Sequence, residues 1–205
     1  MSSQSSETKA RGRPRRVAEA EALEAAMRVF WARGYTAASV EELTQATGLN
    51  RSSLYHQWRD KRGLFMAAVE RYAATRLRAV AAALDTGATL AESLDAFFAA
   101  VTDLALDRDG GGGCLVSCAL AEAAALDPDL AQALAIRFDA VEERLGARIA
   151  RAGPGEAPPG TDPAALAALL AAVARGMMLR ARAGAGRGAL SAVGAMAVSL
   201  VRRDG

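Results

Sequence analysis

Between Ser39 and Lys61 the chain gathers side chains that donate hydrogen bonds to anions and to heterocycle edges: Ser39, Arg51, Ser52, Ser53, Tyr55, His56 and Lys61. A guanidinium pairs with two acceptors at once, as on the O6 and N7 edge of guanine. Hydroxyls and an ammonium bind phosphate oxygens, which fixes register without reading sequence. Upstream, Arg11, Arg13, Arg15 and Arg16 stand with Lys9 in residues 8–16, which contain no acid. A basic arm ahead of a folded domain seeks phosphates and can enter an adjacent minor groove, the plainer alternative being a solubilising tail.

Other chemistries are poorly supplied. With one His and two Cys there is little for a zinc site or a His-based triad to use, and two cysteines make no disulfide scaffold. No nucleophile stands with a base and an orienting group. Gly184-Ala185-Gly186-Arg187-Gly188 has no strand before it, and Gly110–Gly113 lacks the Lys-Ser/Thr of a phosphate loop. Asn50-Arg51-Ser52 matches a glycosylation sequon, which has no meaning without secretion. The expectation is a non-enzyme with no cofactor and no metal.

Composition states what must position these groups. Of 205 residues, 52% are hydrophobic, but 51 are Ala, the best helix former and a poor core filler. An all-α fold follows. The first ten residues are polar, with no secretory signal, and the Arg-free apolar stretches 163–174 and 189–201 are too short to span a bilayer. A soluble cytoplasmic protein with no membrane partner is expected. Residues 1–63 carry 11 basic and 7 acidic side chains (11 − 7 = +4), and residues 64–205 carry 14 and 16 (14 − 16 = −2). Three regions are expected: a basic arm (1–16), a small basic head (17–63) and a larger body (64–205).

Leu23, Met27, Phe30 and Trp31 mark one face of a helix over about 17–33, which Gly34 stops. Ser39-Val40-Glu41-Glu42 is a capping box opening a second helix with Val40, Leu43 and Thr47 inward. Gly48 allows a tight turn, Asn50 caps a third helix over 51–58 anchored by Leu54 and Trp58, and Asp60 caps a long fourth helix to about Leu84. Two short helices joined by about four residues have the spacing of a helix-turn-helix. Downstream, Thr89-Leu90-Ala91-Glu92, Asp127-Pro128 and Asp162-Pro163 each open a helix. The Pro- and Gly-rich residues 153–161 read as a flexible link. The total is about nine helices, with no strand pattern.

Residues 35–61 do more than fit this spacing. The run Tyr35-Thr36-Ala37-Ala38-Ser39-Val40-Glu41-Glu42-Leu43, then Thr47-Gly48-Leu49-Asn50-Arg51-Ser52-Ser53-Leu54-Tyr55-His56-Gln57-Trp58 and Asp60-Lys61, resembles the tetracycline-repressor (TetR) family of bacterial transcription regulators. The resemblance covers roughly residues 17–66. It implies a three-helix DNA-binding head, a long linking helix, and an effector domain that dimerises through its last two helices. On it, Ser39 is a phosphate contact, Arg51 and Ser52 read base edges, and Ser53, Tyr55 and His56 touch the backbone. Lys61 holds a phosphate from the linking helix, while Leu54 and Trp58 belong to the core of the head. Asn50 in place of Ser or Thr, Ser52-Ser53 in place of a Gly-Thr-like pair, and a polar Thr44-Gln45 depart from the pattern and bear on the operator sequence.

In the body, Leu166, Leu169, Leu170, Val173 and Met177 form one helical stripe, and Leu190, Val193, Ala197, Leu200 and Val201 form another. Two such helices from each of two chains would make a four-helix homodimer interface, the alternative being packing within one chain. The resemblance implies a pocket for a small-molecule effector, for which Phe97, Phe98, Val101, Cys118, Phe138, Arg175 and Met178 are the candidate lining. Arg175 either meets an anionic ligand group or pairs with an acid. Cys114 and Cys118 stand at i and i+4, placing Cys114 at a helix start where thiolate is favoured, so thiol sensing competes with plain packing. The expectation is a ligand-responsive, homodimeric regulator binding double-stranded operator DNA, most simply a repressor. The rival is a helical small-molecule-binding or cysteine-based redox-sensing protein without operator binding.

Overall fold

The computed structural model describes residues 15–107 and 111–202, with side chains from Glu19 onward, and all their regular structure is helical. Arg11 and Arg13 lie outside the described residues, as do the side chains of Arg15 and Arg16. Nine helices are present among the described residues: α1 (Arg15–Arg33), α2 (Val40–Thr47), α3 (Arg51–Trp58), α4 (starting as Lys61–Tyr72 and running on to Asp85), α5 (Leu90–Ala105), α6 (Leu115–Leu120 and Ala121–Ala124), α7 (Pro128–Ala150), α8 (Pro163–Arg182) and α9 (Arg187–Ser199).

Local chemistry sets the ends of these helices. Gly34, at φ 83°, closes α1 with its N–H on the Phe30 carbonyl at 2.9 Å. Capping boxes open α2 at Ser39 and α5 at Thr89, and Asp127 and Asp162 cap α7 and α8 ahead of a first-turn proline. Ala73–Leu77 in α4 and Leu115–Leu120 in α6 are wound as wider π-turns. Sequence periodicity does not anticipate them, because they depend on what each helix packs against.

The head is a small aromatic core. Phe30 meets Phe65 edge-on at 4.9 Å, and Trp31 meets Tyr72 at 5.0 Å, so α1 is fixed on α4. Each such buried side chain contributes about 1.5–3 kcal/mol by leaving water. Leu43, Leu54 and Trp58 fill the crossing of α2 and α3, while Val40 is only half-buried.

In the body, α5 is central: Leu90, Leu94, Phe97, Phe98, Val101 and Leu104 are all buried, against α8, α9 and the end of α4. Helix α7 packs along α8. The connection expected to be a flexible link is tied down, because Glu156 Oε2 accepts from the Leu90 N–H at 2.9 Å. Arg148 is buried as well, its Nε donating to Ser93 Oγ at 2.9 Å. Helix α8 is long and apolar enough to cross a membrane by length and composition. Here its Leu170, Ala171, Ala174, Met177 and Met178 face the core of the body, and Arg175, Arg180 and Arg182 interrupt it.

Candidate nucleic-acid interface

Helix α3 stands on its apolar side and presents the other. Leu54 and Trp58, four residues apart, point inward; Arg51, Ser52, Ser53, His56 and Gln57 are exposed, and Tyr55 is half-exposed. Asn50 Oδ1 accepts from the Ser53 N–H at 2.8 Å, satisfying an orphan donor and fixing the first turn. The Arg51 guanidinium lies 5.3 Å from the centre of the Tyr55 ring, which keeps the arginine on the outer face. Gly48, at φ 68°, makes the turn that sets α3 across α2.

The N-terminus of α2 is closed by a capping box. Ser39 Oγ accepts from the Glu42 N–H and Glu42 Oε2 accepts from the Ser39 N–H, both at 3.0 Å. Glu42 also receives Arg33 Nη2 at 2.7 Å. The Ser39 N–H and Arg33 therefore hold the Glu42 carboxyl below its ordinary pKa. The exposed Ser39 hydroxyl stands beside the positive end of the helix.

Lys61 is more engaged than expected. Its Nζ donates to the Thr36 carbonyl at 3.2 Å and lies 4.9 Å from the centre of the Tyr35 ring, and partial burial lowers its pKa. The ammonium thus pins the α1–α2 turn to the start of α4, with two further N–H groups to give. Sequence reasoning passed over Gln57 and Arg59. Both are exposed at the end of α3, and Arg59 takes a left-handed φ of 72°.

A cavity of about 240 Å³ lies in the body, bordered by α4, α5, α6, α7 and α8. Of the expected lining, Phe97, Val101, Phe138, Arg175 and Met178 border it, and Phe98 and Cys118 do not. Phe98 packs on α9, where Gly194 leaves room for its ring. Cys118 sits instead near Gly113, while Cys114 borders the cavity. Leu77, Val80, Leu84 and Val116 also line it. Leu77 and Val116 lie in the two π-turns, whose residue spacing departs from the α-helical period, and Val80 and Leu84 follow further along α4. Burial raises the Cys118 thiol pKa, which disfavours thiolate, and both cysteines are free.

The two apolar stripes divide. Leu170, Met177, Leu190, Ala197 and Val201 are buried within the chain itself, which corrects their assignment to an interface between chains. Leu166, Val173 and Val193 are half-buried. The outer faces of α8 and α9 instead carry Leu169, Leu179, Met196 and Leu200, exposed by 49, 53, 68 and 45%. Each helix is apolar on more than one side, so periodicity alone could not tell the two faces apart.

Residues 22–68 match the family model for bacterial regulatory proteins of the tetR family, and residues 91–195 match the tetracyclin repressor-like C-terminal domain. The chain belongs to the tetR family. It is therefore a DNA-binding transcription regulator, with the α2–turn–α3 unit inside the N-terminal match. Among similar tetR-type proteins, the HTH-type transcriptional repressor ComR of Escherichia coli is 34% identical over 86% of this chain and 85% of its own length. The repressor BdcR of the same organism is 30% identical over 93% and 92%. A cysteine mutant of the TetR family regulator CifR, complexed with 26-base-pair double-strand operator DNA, superposes with a TM-score of 0.79 at 28% identity, covering 93% of this chain and 98% of that one.

Proposed function

We propose that this chain acts as a homodimeric repressor that holds an operator through α3 and leaves it when a small molecule occupies the body cavity. The observation that carries the reading is the outer face of α3, where Arg51, Ser52, Ser53 and His56 are all exposed above a buried Leu54 and Trp58. In this reading Arg51 and Ser52 meet base edges, and Ser39, Ser53, Tyr55, His56 and Lys61 meet the phosphate backbone. The repressor sign is supported by the names of ComR and BdcR, and the operator by the DNA bound to CifR.

Two-fold pairing through α8 and α9 is supported by the exposed apolar side chains Leu169, Leu179, Met196 and Leu200. It would set two copies of α3 one DNA turn, or a multiple of it, apart. A ligand changes that spacing only by binding one arrangement better than the other. The raised pKa of Cys118 and the burial of Cys114 weigh against thiol sensing. The outer face of α3 offers groups for binding and none arranged for catalysis.

Selection of genomic fragments on the purified protein tests the reading. A single inverted-repeat sequence is expected, with binding that falls steeply as salt rises. Failure to retain any duplex at low ionic strength would overturn it.

A further inference from the structure

The body cavity combines two chemistries. Its walls are aliphatic and aromatic, yet every charged residue bordering it is an arginine: Arg78, Arg137, Arg144 and Arg175. Among the described residues, no carboxylate lines it. The acids that neutralise three of these arginines stand outside the lining: Glu70 with Arg137, Asp85 with Arg144, and Glu142 with Arg175.

Arg78 is exposed and has no ion pair among the described residues, Arg137 keeps a buried Nε without an acceptor, and Arg175 is left one nitrogen short in the same way. Its guanidinium stacks on the Phe138 ring at 4.4 Å from the centroid, and Nη2 donates to Glu142 Oε1 at 2.8 Å. Nη1 is buried and has no hydrogen-bond acceptor. A buried charged donor left without an acceptor is destabilising, and a planar guanidinium held over a ring is preorganised for a carboxylate. The sequence offered two roles for Arg175, an acid partner or an anionic ligand; the geometry supplies the first and leaves a donor for the second.

We propose that the cavity takes a carboxylate amphiphile, a single anionic head on an aliphatic or aromatic body, and that Arg175 anchors the head. The apolar walls bury the body of the ligand, and a lining whose charged groups are all arginines, three of them paired with acids outside it, favours an anionic head over a cationic one. The proposal rests on the reading of this cavity as the effector site.

Isothermal titration of the full chain with decanoate, 1-decanol and decylamine tests it, with operator release measured in parallel. Decanoate is expected to bind at least about tenfold tighter than decanol, with no decylamine binding. Arg175→Gln should cost decanoate about tenfold and leave decanol unchanged, whereas Glu142→Gln should tighten decanoate. Should Arg175→Gln fail to fold, the double variant Arg175→Gln with Glu142→Gln carries the same comparison, since it leaves no carboxylate stripped of its partner. Equal affinity for decanoate and decanol, no decanoate binding, or decanoate affinity indifferent to residue 175 overturns the proposal. If decanol alone releases operator, the effector reading survives and the anionic head falls. If decanoate binds through Arg175 while DNA stays bound, the ligand class stands and the effector reading falls.

Discussion

The Arg182 guanidinium donates to the Trp31 carbonyl at 2.9 Å, across 151 residues of sequence. Its other terminal nitrogen donates to the Ala32 carbonyl at 2.8 Å. The last turn of α8 thereby caps the C-terminal end of α1, where carbonyls lack helical partners. Head and body are joined a second time at the same corner, where the Thr36 N–H meets Glu122 Oε1 at 3.4 Å. Helix α8 also carries Arg175 at the cavity, so one element touches both the cavity and the head.

Arg182→Ala removes this cap. Thermal unfolding should show a loss of about 1–2 kcal/mol, a fall of about 2–8 °C in Tm, with faster amide exchange at the end of α1. Exchange unchanged at Phe30–Gly34 would mean the contact does not hold the head.

Acid should weaken the α2 cap. The Ser39 N–H, then Arg33, lower the Glu42 pKa from its ordinary 4.5, so the folded chain holds that proton less tightly than the unfolded chain. The stabilisation is complete above about pH 4.5 and disappears as pH falls through the lower folded value. Glu42→Gln should therefore be less stable than the parent at pH 7 and match it in strong acid. A stability gap that stays constant with pH would contradict the assignment.

The exposed residues of α8 and α9 should govern assembly without governing folding. Leu169→Glu with Met196→Glu is expected to give a folded monomer in sedimentation, because neither side chain belongs to the core of one chain. Leu170→Ala should instead cost about 2–5 kcal/mol of stability, as a buried leucine does. A dimer that survives the paired charges would place the interface elsewhere.

Thiol chemistry should be slow. With its pKa raised by burial, Cys118 should react with iodoacetamide at pH 8 well below the rate of a free thiol. Peroxide should leave DNA binding intact. Release by peroxide that is abolished in a Cys114→Ser, Cys118→Ser double variant would restore the redox reading.

Legibility differed between the two halves of the chain. In the head, each helix end is written in a residue or two, such as Ser39 with Glu42, Gly48, Asn50 and Asp60, so the sequence reveals α2, the turn and α3 nearly residue by residue. The body helices are equally legible as helices, but Ala-rich segments are apolar on several sides. Which side meets which neighbour is settled only by packing. For that reason Leu170 and Met177 read as interface and prove to be core, and Phe98 reads as cavity lining and proves to be the partner of Gly194. The π-turns at Ala73–Leu77 and Leu115–Leu120 shift the facing residues, which hid Leu77 and Val116.

The most direct measurement compares operator-sequence profiles of the parent chain, Arg51→Ala and Lys61→Ala across a salt series. With Arg51 on a base edge, its loss should relax preference at one position per half-site, at a cost of about 1–3 kcal/mol for the favoured base. Lys61→Ala should weaken all sequences alike and reduce the salt slope by about one. Profiles that stay unchanged in Arg51→Ala, or lose one position in Lys61→Ala, would contradict the assignment of α3 as the reading helix.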